Sequence, residues 1–80
     1  MRLLDQDNDK AINRITIYLT QSEASELYED LNSIMTSPKN NHAHISSEDY
    51  KKEITICIYD RENIDKEFNE RSKKIILFDT

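Results

Sequence analysis

The chain contains no glycine in its 80 residues, and this constrains it more than any motif it carries. Glycine occupies left-handed backbone without steric cost and lets a backbone approach a ligand closely. Without it there is no glycine-rich phosphate loop, no dinucleotide-binding fingerprint and no nucleophile elbow. Where the chain must turn sharply, Asn takes over, as Asn40-Asn41 is placed to do. A single core in a chain this short rarely supplies more than about 3–5 kcal/mol. A partner or a second copy is therefore expected.

Eleven basic residues against sixteen acidic ones leave a net charge of −5. Such a chain is poorly suited to gripping a nucleic-acid backbone, so no nucleic-acid partner is expected. One cysteine forms no intrachain disulfide. No apolar run approaches the roughly 18 residues of a membrane helix, and Met1–Asp9 lacks a signal-peptide core. The expected location is cytoplasmic, away from the membrane.

Hydrophobic periodicity predicts the elements. Met1–Asn13 follows no period and reads as a flexible acidic arm, with residues 14–80 as a single α+β domain. Arg14–Thr20 alternates, with Ile15, Ile17 and Leu19 on one face, and predicts a strand. Thr20-Gln-Ser-Glu23 fits a capping box. Behind it Ala24, Leu27, Tyr28, Leu31, Ile34 and Met35 make an apolar helical stripe that Ser37-Pro38 ends. His42–Ser47 and Glu53–Tyr59 alternate again and are joined by a polar loop, which predicts a hairpin with Ala43, Ile45, Ile54, Ile56 and Ile58 facing the core. Asp60 is placed to cap a second helix over Arg61–Lys74, and Ile75–Phe78 reads as a last strand or the end of that helix.

This order is the split β-α-β-β-α-β, ferredoxin-like arrangement with both helices on one face of the sheet. A three-stranded sheet with a longer C-terminal helix is the alternative. In the ferredoxin-like topology the opposite sheet face carries Thr16, Tyr18, His42, His44, Ser46, Thr55, Cys57 and Tyr59, joined by Ile76 or Phe78 if the last run is a strand. Tyr and His on an open face suit an interface. Two-fold pairing of two copies is its commonest use, so a homodimer is the expected form.

Three constellations bear on chemistry. His42 and His44 project from the same side of a strand, and with Cys57 on the neighbouring strand they offer zinc a mixed nitrogen–sulfur set, with Glu48 or Asp49 in reserve. Asp5, Asp7 and Asp9 resemble the start of a calcium loop, but Lys10 stands where its glycine belongs and Thr16 where its bidentate Glu belongs. The predicted helix over Gln21–Met35 has Glu23, Glu26, Glu29 and Asp30 as its only charges. An acidic face of that kind steers toward a basic protein. Cys57 lies mid-strand in an acidic chain and lacks the electropositive setting of a nucleophile, so no enzyme activity is expected.

Taken with the His42-Ala-His44-Ile45 and Lys52-Glu53-Ile54-Thr55-Ile56 strands, the capped helix Thr20–Met35 resembles small uncharacterised α+β proteins of low-GC bacteria, some assigned to predicted toxin-immunity families. That resemblance implies an immunity- or inhibitor-like role for an acidic, non-enzymatic domain. The expected function is thus a protein-binding module. Tyr18, His44 and Tyr59 would make the sheet contact, and Glu26, Glu29 and Asp30 the acidic one. A metal-binding or metal-sensing protein built on His42, His44 and Cys57 is the alternative.

Overall fold

A computed structural model describes residues 1–37 and 41–80. The elements run β1 (Leu3–Asp5), β2 (Lys10–Ile12), α1 (Gln21–Thr36), β3 (His42–Ser46), β4 (Glu53–Cys57), α2 (Ile64–Glu67) and α3 (Glu70–Phe78). The fold is mixed α+β, with two separate two-stranded antiparallel sheets, β1–β2 and β3–β4. The chain divides into two compact units, Met1–Ile17 with Asp60–Thr80 and Tyr18–Tyr59.

In the Tyr18–Tyr59 unit, α1 starts where the sequence predicts. Thr20 accepts the Glu23 N–H at 3.1 Å, and Glu23 accepts the Thr20 N–H at 2.9 Å, completing the capping box. Ser37 leaves the helix with extended backbone, as a residue before proline must. The Lys39–Asn41 connection falls mostly outside the described residues. Beyond it β3 and β4 pair in the register His42↔Cys57, Ala43↔Ile56, His44↔Thr55, Ile45↔Ile54 and Ser46↔Glu53. The predicted division of faces holds for Ala43, Ile45, Ile54 and Ile56, because directly opposed residues in a ladder share a face, whereas Ile58 lies past the end of β4 and is exposed rather than in the core. The helix packs against β3. Ile34 and Ile45 are the buried core of the unit, at 6% and 2% exposure.

The Met1–Ile17 and Asp60–Thr80 unit departs further from expectation. The segment read as a loose arm is a hairpin, with Leu3 opposite Ile12 and Leu4 opposite Ala11. Its turn is built by Asp5, whose carboxylate accepts the backbone N–H groups of Asp7 and Asn8 and the Asn8 side-chain amide at 2.8 Å. These bonds, chiefly that from the Asn8 side chain, hold the Asp5 carboxyl below its ordinary pKa. Asp9 then takes left-handed backbone, φ 54°. The expected helix over Arg61–Lys74 is broken in two by extended backbone at Phe68. Asn69 restarts it by accepting the Ser72 N–H at 2.8 Å. Asp60 does not cap a helix; it closes a turn by accepting the N–H groups of Glu62 and Asn63. The Ile75–Phe78 run is the end of α3, with Ile75 and Ile76 buried. Arg2 donates to the carbonyls of Ile75 and Ile76, and Arg71 pairs with Asp9 and donates to the Thr80 carbonyl.

Arg14–Thr20 corrects the fold expectation most. It forms neither helix nor strand, and Ile15 and Ile17 are 57% and 46% exposed rather than in the core. Alternation makes a segment suitable for a sheet, but a strand also needs a neighbour. Each sheet here is completed by a local hairpin, which closes at small entropic cost. The described residues therefore contain neither the four-stranded ferredoxin-like sheet nor the three-stranded alternative.

Candidate functional site

The start of α1 is fastened to the β3–β4 loop through Glu23. One of its carboxylate oxygens closes the capping box; the other accepts the Glu48 N–H at 2.8 Å. The Thr20 hydroxyl adds a bond to the Glu48 carboxylate at 3.3 Å. The backbone N–H of Thr20, and then that of Glu48, hold the Glu23 carboxyl below its usual pKa. The loop itself is braced by its side chains. Ser47 donates to Asp49, the Lys51 N–H donates to Asp49, and the Lys52 N–H donates to the Ser47 hydroxyl. Asp49 is lowered in pKa mainly by that Ser47 hydroxyl. The turn closes with the Tyr50 N–H on the Ser47 carbonyl, and Tyr50 takes φ 60°, a left-handed position that glycine would normally fill.

This fastening leaves an open groove of about 350 Å³ between α1 and the hairpin. Ser22, Glu23 and Glu26 line it from the helix, His44 and Ser46 from β3, and Ser47, Glu48 and Tyr50 from the loop. The groove joins the two surfaces singled out in the sequence, the acidic helix and the His-bearing sheet. Three carboxylates share it with one imidazole.

Not every candidate residue arrives there. Glu26 lines the groove, whereas exposed Glu29 and half-buried Asp30 do not. Tyr18 is 90% exposed in the segment ahead of α1 and lies on no sheet. Tyr59 follows the end of β4. The expected Tyr/His face is therefore reduced to His42, His44, Ser46, Glu53, Thr55 and Cys57. On it the His44 ring Nδ1 lies 2.9 Å from the Thr55 hydroxyl and 2.8 Å from a Glu53 carboxylate oxygen. His42 bonds to the Asn41 side chain and meets His44 edge to face, with ring centroids 5.3 Å apart.

Cys57 sits opposite His42 in the ladder, yet among the described residues no group of three or more His, Cys, Asp or Glu side chains is arranged to hold a metal ion. Although Cys57 is an exposed residue, desolvation pushes its thiol pKa up, away from thiolate chemistry. Glu48, Tyr50 and Glu53 were not among the sequence-based partner contacts. The available signal for Tyr50 was a bulky residue inside a glycine-free hairpin loop, where one position must adopt left-handed backbone.

No protein family, curated protein or solved structure matches the chain. Among the described residues no helix is long and apolar enough to cross a membrane.

Proposed function

We propose that the chain is a non-enzymatic protein-binding module, inhibitor- or immunity-like, that receives a basic partner at the groove between α1 and the β3–β4 hairpin. The observation that carries this reading is the convergence of Glu23, Glu26 and Glu48 with His44 on one concave surface. The net charge of −5 supports it, as does the absence of any basic residue on α1. Opposed charge of this kind speeds encounter and selects partners. Glu29 and Asp30 extend the acidic side of α1 beyond the groove as outlying contacts. The polar face of β3–β4 is open to a second copy, and a homodimer through it is part of the same reading.

The test is a fluorescence titration with a short peptide of alternating lysine and valine. Saturable binding that weakens as salt rises is expected, and the Glu26→Lys, Glu48→Lys double variant loses it. Binding that ignores both salt and the two substitutions overturns the proposal.

A further inference from the structure

Two hydrogen bonds fix the phase of the β3–β4 ladder. The Ile58 N–H donates to the Asn41 carbonyl at 2.7 Å, and the Ser47 N–H donates to the Lys52 carbonyl at 2.9 Å. Both belong to the register that pairs Ala43 with Ile56 and Ile45 with Ile54, so odd-numbered residues of this strand exchange bonds with β4. The N–H and C=O groups of the even-numbered residues, His44 and Ser46 among them, then point away from β4. Among the described residues these groups of His44 and Ser46 have no hydrogen-bond partner. A sheet edge in this state is a template for another strand. Proteins usually blunt such edges with lysine, proline or a bulge. His42–Ser46 contains neither residue, and its register runs without a skip.

The groove lies along this edge, since α1, β3 and the loop line it while β4 contributes nothing. We infer that the outward edge of β3 takes an extended basic segment of another protein as an added strand, its alternate lysine or arginine side chains reaching Glu26 and Glu48. This rests on the basic-partner reading above and supplies its mode of binding. Main-chain bonds to His44 and Ser46 give such a segment affinity, and the carboxylates give it specificity. Charge selects the occupant. A second copy on the same edge would bring two sets of these glutamates together, whereas a basic segment neutralises one.

The experiment is an NMR titration of the full chain, with nitrogen-15 label, against the lysine–valine peptide and a counterpart N-methylated at alternate residues. N-methylation removes main-chain donors and leaves the charge unchanged. Shifts centred on the His44 and Ser46 amides are expected, with affinity for the N-methylated peptide lower by about tenfold or more. Ser46→Pro should lose the same affinity, because its N–H lies outside the β3–β4 ladder and edge positions tolerate proline. Equal binding of both peptides overturns strand addition while leaving the basic-partner reading intact. Binding of neither overturns both. Nuclear Overhauser contacts between the β3 backbones of two copies, without peptide, overturn the inference in favour of edge pairing between copies.

Discussion

Glu23 connects three pieces of backbone with one side chain: its own helix, the residue that caps it, and the loop that follows β3. Its carboxyl titrates below the ordinary 4.5 because Thr20 and Glu48 donate to the ionised form. A carboxyl lowered in the folded state stabilises above its unfolded pKa, and that contribution disappears as pH falls through the folded value. Glu23→Gln should therefore be less stable than the parent near neutrality, with the two converging in acid, as read from urea midpoints across pH. Thr20→Ala removes the other half of the box and is expected to cost about 1 kcal/mol in the same assay. Tyr50 acts in the opposite sense. A tyrosine at φ 60° carries a steric penalty that glycine avoids. Tyr50→Gly should raise stability by roughly 0.5–1 kcal/mol after the greater chain entropy of glycine is offset. An unchanged or lower thermal midpoint would mean that the left-handed position is not strained.

Among the elements, two segments with the same alternation have different fates. Ile45 in β3 is 2% exposed beneath α1, whereas Ile17 in Arg14–Thr20 is 46% exposed and, among the described residues, pairs with no strand. Ile45→Ala should cost about 2–5 kcal/mol, comparable with all that a core this small supplies, and circular dichroism should show the Tyr18–Tyr59 unit unfolded. Ile17→Lys should change stability by about 0.5 kcal/mol or less. A large loss from Ile17→Lys would show that the segment is a buried strand after all. Helix α1 and the β3–β4 hairpin were legible because a capping box and a two-residue period are local signals. The β1–β2 hairpin was not, since Leu3-Leu4 and Ala11-Ile12 are adjacent apolar pairs without alternation. The break at Phe68 was also missed. Asn69 is a good N-cap, but nothing nearby requires a helix to restart there.

For the whole molecule, the arrangement of charge matters more than its sum. The five basic residues between Arg61 and Lys74 fall in one unit, and the acids of α1 fall in the other. Lysine–valine peptide binding should accordingly be a property of the Tyr18–Tyr59 unit. Arg61→Glu should leave it unchanged in the same titration, while Glu26→Lys should reduce it. Added zinc is expected to leave the thermal midpoint where it is, because His42 and His44 have neighbours for their Nδ1 atoms and, among the described residues, no group of three ligands forms around them. A zinc-dependent rise would favour the metal-binding alternative over the basic-partner reading.

The sequence by itself determined which residues share a face of β3–β4, where α1 begins, and that its charges are all acidic. Each follows from a spacing of four residues or fewer, or from counting. Tertiary structure alone decided that Arg14–Thr20 pairs with no strand among the described residues, that Ile75–Phe78 is helical, and that Glu26 and His44 line one groove while Tyr18 does not. Those outcomes depend on contacts between segments far apart in the chain. Their free energies compete with one another and with the entropy of closing the intervening loops, which no local pattern records.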